Sequence, residues 1–273
     1  SPDALGYSSR SPSVRPGWAP PSSPSPTPPV SLLTAGSSRL IGMGFASALV
    51  LFAHPDDAEY MCGGTVAEWA RNGTEVHYVI VTDGSAGSNE PGRTRDEISR
   101  IRKPEQEEAA RVLGVRTVTF LDFPDGMLEV NLETRQAVTR EVRRLRPEVI
   151  VAPDPSRLWF GRRYINHADH RAAGELALCA VMPDAPSRPQ FPELLEGGFE
   201  PYEVPNLWLS TEEPDTYVDI TKTIDLKIEA LTKHRSQGVE DDLQWVRDRA
   251  KELGEKGGME YAEDLERRGR PLH

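Results

Sequence analysis

Two clusters of histidine and carboxylate each follow a short apolar run. His54-Pro55-Asp56-Asp57 comes directly after residues 48–53 (ALVLFA), and Asn166-His167-Ala168-Asp169-His170 lies beyond 149–151 (VIV). Aspartate and histidine are costly to bury unless they are paired or bound to metal. Two such clusters behind buried-type strands therefore point to a metal site at one edge of a parallel sheet. Two histidines and a carboxylate with one open position are the donor set of a catalytic zinc centre, and His54, Asp57 and His170 supply it. Asp56 is then left to act as general base on a metal-activated water. His167 and Asp169 are left to protonate a leaving group or to hold the proton donor in its tautomer. Simpler readings stand beside this one. Asp56 or Asp57 can cap the helix that follows, and the second cluster can be two surface histidines at a helix start. The same donor set also holds Fe(II) in oxygenases, although those sit on jelly-roll strands.

The elements that must position these clusters alternate between strand and helix. Strands are expected at 48–53, 75–82, 117–121 and 149–153, with helices near 65–72, 94–113, 133–145 and 170–182. Pro104 either kinks the second helix or opens a separate one. Strands spaced by helices of this length predict an α/β fold, a Rossmann-like, mostly parallel sheet with helices on both faces, whose ligands bind outside the carboxyl ends of the strands. Both clusters fall at such ends. Further on, strands are expected at 204–210 and 215–220 and a helix over 221–236. The residues beyond read as a charged, helix-prone extension.

Other residues carry weaker signals. Thr82-Asp83-Gly84 with Gly87 ends the second strand as either a phosphate-type amide nest or a plain turn, without the spacing of a dinucleotide fingerprint. Arg102 and Glu105 read as a solvated pair on a helix surface, and His234 as a cation suited to a helix C-terminus. His77 alternates within a strand and Cys62 reads as a small core residue.

The 273 residues carry 43 acidic against 32 basic side chains, a net charge of −11. That balance excludes a duplex nucleic-acid binder, which needs a basic face, and docking on an anionic membrane. Cys62 and Cys179 stand in no disulfide or metal spacing, which points to a reducing cytoplasm. The first residue is Ser1 rather than a methionine, so this cytoplasmic expectation rests only on the residues given. Residues 40–53 have the look of a signal-peptide core, but they run straight into His54 and are read as the first core strand. Residues 1–38 are rich in Ser and Pro and are expected to form a disordered tail.

AHPDDAEYMCGGTVAEWARNG, TDGSAG, IRKPEQEEAARVLGV, FPDG and NHADHRAAGELAL, taken in order, resemble the PIG-L/LmbE-like zinc-dependent deacetylase family over residues 45–237. The resemblance implies a Rossmann-like domain over 39–239 between the tail (1–38) and the extension (240–273). It also implies removal of an acetyl group from N-acetylglucosamine-type compounds. Carried over residue by residue, it implies His54, Asp57 and His170 as zinc ligands and Asp56 as general base. His167 would steady the oxyanion or protonate the amine, with Asp169 as its orienting partner. Arg102, Asp125 and His234 would contact the substrate. Ala168 stands where the family usually has proline, and no tyrosine aligns with one that assists catalysis in some members, although Tyr164 lies near.

The expectation is thus a cytoplasmic hydrolase taking a small N-acetylated sugar, with Zn²⁺, or Fe²⁺ or Co²⁺ in its place. The alternatives are an amidase of a thiol or peptide conjugate on the same site, and a non-catalytic ligand-binding domain. Loops 84–93, 122–132 and 154–166, with region 183–204, are expected to set selectivity.

Overall fold

The computed structural model describes residues 38–40, 44–161, 164–239 and 243–269. All of them belong to one compact unit, Ala35–His273. The expected disordered tail lies, apart from Ser38, outside the described residues. In chain order the elements are β1 (Ser38–Leu40), β2 (Ser47–Phe52), α1 (Asp57–Arg71), β3 (Glu75–Thr82), α2 (Arg95–Leu113), β4 (Thr117–Phe123), α3 (Leu132–Leu145) and β5 (Val149–Pro153). A hairpin of β6 (Trp159–Phe160) and β7 (Tyr164–Ile165) leads to α4 (Ala168–Cys179) and the single turn α5 (Glu193–Glu196). Then come β8 (Asn206–Ser210), β9 (Thr216–Asp219), α6 (Ile224–Leu231), α7 (Gln244–Gly257) and β10 (Ala262–Gly269).

Among the described residues, eight strands form one sheet in the order β1-β9-β10-β8-β5-β2-β3-β4. The run β8-β5-β2-β3-β4 is parallel throughout. Its central strands are buried on both faces, which is why they read as unbroken apolar runs. Side chains alternate across the sheet. Ala48, Val50 and Phe52 pack with α1, α2 and Trp208 on one face. Leu49, Leu51 and Ala53 pack with α3 and α4 on the other. From β2 the chain winds outward through β3 and β4 on one side, then returns to place β5 on the other. The crevice beyond the carboxyl ends of β2 and β5 is therefore the topological switch point of the sheet, where ligands bind in folds of this kind.

Three expectations need correction. The helix expected over 65–72 starts at Asp57, with a kink at Cys62 (φ −144°). Gly64 serves close packing, since a Cβ on it would sit 2.8 Å from Ile220. The helix expected over 221–236 closes at Leu231 and gives way to a short 3-10 turn, Arg235–Gln237. The C-terminal extension is not wholly helical: after α7 it returns as β10, antiparallel between β8 and β9. Charge hid this strand, because AEDLERRG lacks an apolar alternation. The buried Glu263 is satisfied there by the amides of Gly64 and Thr65, the Thr65 hydroxyl and Lys227 Nζ at 2.6 Å. Removing one partner of a buried ion pair strands the other charge. Glu263→Ala is therefore expected to lower unfolding stability by roughly 3–5 kcal/mol, read from denaturant midpoints.

Candidate metal centre

β2 ends at Phe52, and the next five residues deliver three side chains to the switch point. Asp56 takes a left-handed backbone conformation, φ 94°, which is strained for a residue with a Cβ. Three contacts hold it. Its N–H donates to Gln106 Oε1 at 2.8 Å, and the Arg102 guanidinium donates to Asp56 Oδ2 at 3.2 Å and to the Pro55 carbonyl at 2.5 Å. Asp56 stands at the N-cap of α1 but makes no side-chain capping bond. Its carboxylate is thus free for chemistry. Asp57 opens the helix and accepts the His54 N–H at 2.8 Å.

His170, from the first turn of α4, meets these residues from the β5 side. His170 Nε2 lies 3.1 Å from Asp57 Oδ1 and 3.2 Å from His54 Nδ1, and His54 Nδ1 lies 3.4 Å from Asp57 Oδ2. Tetrahedral metal sites with ligands at about 2.0–2.1 Å place neighbouring donors about 3.3 Å apart, and the two imidazole nitrogens, each facing one oxygen of the Asp57 carboxylate, come within that spacing. The far ring nitrogens also have partners. His54 Nε2 faces Asp125 Oδ1 at 3.0 Å and Asp169 Oδ2 at 3.2 Å, while His170 Nδ1 pairs with Asn166 Oδ1 at 2.9 Å. Metal-binding histidines are held in this way by a partner on the opposite nitrogen. Two further groupings, with donor atoms all within 4.8 Å of one another, join His54 to His167 and His170, or to Asp125 and Asp169.

The electrostatics follow from this crowding. Burial alone would lower the His54 imidazole, but Asp57, Asp125 and Asp169 carry it well above its usual range. Burial would raise Asp57, yet the imidazoles of His170 and His54 hold it well below the ordinary carboxylate range. Burial pushes Asp56 up to about 6, against the pull of Arg102. Asp125 is brought down to about 2: burial opposes this, and the hydrogen bond to His54 drives it.

His167 caps α4, and its ring centroid lies 4.8 Å from that of His54. Its Nδ1 accepts the Asp169 N–H at 3.2 Å, so the proton of the neutral ring sits on Nε2. The resemblance makes Asp169 the orienting partner of His167. The gap to His167 Nδ1 is 4.0 Å, and the carboxylate is taken by His54 and by the amides of Gly126 and Leu128. Arg102 and Glu105 are not a solvated surface pair. Arg102 is 3% exposed and Glu105, also buried, accepts from Ser236. Asp125 likewise turns to His54 and to the Ala86 amide. His234 is wholly buried, 3.3 Å from Glu59, and the reading of an exposed helix-end cation gives way to this internal pair. Arg102, Asp125 and His234 are thus buried and bonded to residues around the centre.

Sequence reasoning missed Gln106 and Glu59, joined at 2.9 Å beneath Asp56. The four-residue spacing from Arg102 to Gln106 on one helix face was the available signal.

The chain also resembles proteins of known activity. A family model described as PIG-L, GlcNAc-PI de-N-acetylase, matches residues 49–181. Diacetylchitobiose deacetylase of Thermococcus kodakarensis is 32% identical over 80% of this chain and 81% of its own length. A probable N-acetyl-α-D-glucosaminyl L-malate deacetylase of Bacillus cereus is 32% identical over 69% of this chain and 82% of its own. Among solved structures, N,N'-diacetylchitobiose deacetylase from Pyrococcus horikoshii superposes with a TM-score of 0.75 at 32% identity, covering 82% of this chain and 84% of that one. Identity of this level over four-fifths of both chains is shared descent, and the chain belongs to the PIG-L (LmbE-like) deacetylase family.

Proposed function

We propose that this chain is a zinc-dependent hydrolase that removes the acetyl group from N-acetylglucosamine-type compounds, with His54, Asp57 and His170 holding the metal. The observation that carries the proposal is the convergence of those three donors within 3.1–3.4 Å beside the strained, uncapped Asp56. A metal held there supplies Lewis acidity toward the acetamide carbonyl and toward water. Asp56 takes the proton of the attacking water and is then the acid for the departing nitrogen, so that acetate and a free amino sugar leave. Arg102 fixes one Asp56 oxygen and leaves the other for the proton. His167 donates through Nε2 to the oxygen on which negative charge develops. Asp169 and Asp125 orient His54.

The two thiols, Cys62 and Cys179, are unpaired, which suits the reducing cytoplasm we assign to it. No helix among the described residues is long and apolar enough to cross a membrane. The test is metal content of the purified chain together with acetate release from N-acetylglucosamine and N,N'-diacetylchitobiose, before and after chelation. One metal per chain and chelator-sensitive acetate release are expected. A larger acid released in place of acetate would move the assignment to a conjugate amidase, and no release at all would overturn it.

A further inference from the structure

A cavity of about 650 Å³ lies beside the metal centre, between α1, the β6–β7 hairpin, α7 and β10. Met61, Arg157, Phe160 and Ser210 line it and also line the water-sized crevice that carries Asp57 and His170, so the two spaces share a wall. The volume is that of a small-molecule site. Its outer wall is aromatic: Trp245 stacks on Tyr60 with centroids 5.8 Å apart and is still 57% exposed. Behind these lie Val246, Ala250, Leu253 and Ala262. The charged residues around the cavity are committed to one another or to neighbours: Lys227 to Glu263 at 2.6 Å, Arg249 to Asp264 at 3.3 Å and Arg157 to Glu212 at 3.4 Å.

We propose that this cavity is a subsite for an apolar, aryl or short alkyl, aglycone on the amino sugar. The inference rests on the deacetylase reading above. A hydroxyl-rich ring placed there would give up water hydrogen bonds to walls whose described charged side chains are already paired, which is unfavourable, whereas an apolar arm covers exposed aromatic surface. The scissile acyl group is only an acetyl, so an arm long enough to fill the space belongs to the sugar's other end. α7 and β10 supply half of the lining residues, which gives the C-terminal extension a role in selectivity.

The test compares acetate release from the methyl and phenyl glycosides of N-acetylglucosamine by the metal-loaded full chain. In parallel, phenyl β-glucoside, which has no acetamide, is titrated into the metal-free chain by calorimetry. We expect kcat/KM at least tenfold higher for the phenyl glycoside, because its ring buries apolar surface that the methyl group does not, and saturable binding of the phenyl glucoside. Ala250→Phe, which fills the cavity, and Trp245→Ala, at an exposed position that leaves the fold intact, should each abolish the preference and the binding while leaving methyl-glycoside turnover unchanged. Equal kcat/KM for the two glycosides, with no phenyl glucoside binding, would overturn the proposal. A preference that instead followed the length of the N-acyl chain would overturn the aglycone assignment. Binding that Ala250→Phe removes, with no acetate released from any compound, would keep the cavity and sink the deacetylase reading.

Discussion

Asp56→Asn is expected to lower kcat for acetate release by roughly 10²–10⁴-fold, the range that a positioned general base contributes, and to leave metal stoichiometry at the wild-type value. Asparagine preserves the shape of the side chain, tolerates the left-handed backbone at φ 94° and keeps an oxygen for Arg102. What it lacks is the ability to take a proton. The same substitution has an opposite effect on stability. Burial pushes the Asp56 carboxyl from 3.8 up to about 6, so in the metal-free fold the ionised form is disfavoured relative to the unfolded chain. That cost is absent below pH 3.8, grows as pH rises through this interval and is complete above about 6. Asp56→Asn should therefore resist denaturant better than wild type at pH 7, by up to about 3 kcal/mol, with the difference vanishing near pH 4. Unchanged turnover in this variant would eliminate the general-base role. Lower stability at pH 7 would eliminate the burial argument.

Such opposition between stability and chemistry explains which parts of the molecule were legible in the sequence. The parallel core strands were, because a strand buried on both faces has to be an apolar run, and 48–53, 78–81 and 149–153 are such runs. The centre was legible for the converse reason: His54, Asp56, Asp57 and His170 violate the burial preference of their surroundings. Residues that obey two preferences at once could not be read. Glu263 and Lys227 look like surface charges and lie in the interior as a pair, at 3% and 6% side-chain exposure. β10 therefore passed for a solvated helix. Arg102, Gln106 and Glu59 look like the polar face of an amphipathic helix, and only packing turns that face inward beneath Asp56. Long-range partners such as Asp125 for His54 have no local pattern, since spatial contact across 71 positions leaves no periodicity to detect.

The second large effect concerns His54, where two roles are separable by comparison with His170. Both imidazoles face Asp57, so His54→Ala and His170→Ala should each weaken metal binding by at least 100-fold and remove measurable turnover, because each takes away one of three donors. Only His54, however, also stands against Asp125 and Asp169. In the metal-free fold these carboxylates, with Asp57, hold its folded pKa well above 6.5. A raised folded pKa means that the stabilisation is fully present below pH 6.5 and fades as pH climbs through the folded value. His54→Ala should accordingly destabilise the metal-free protein by about 3–5 kcal/mol near pH 6, as expected when a buried ion pair loses one member. The deficit should shrink in alkaline solution. His170→Ala removes the contact to Asp57 and leaves His54 against Asp125 and Asp169. The same proton competes with metal for Nδ1 by charge, so wild-type metal affinity should rise about tenfold per pH unit until His54 has titrated, with one proton released per ion bound. Denaturant melts of both metal-free variants across pH, set beside competitive metal titrations of the wild type, separate the two roles. Destabilisation by His54→Ala that does not change with pH would mean that the carboxylates around His54 merely pack against it and do not set its charge.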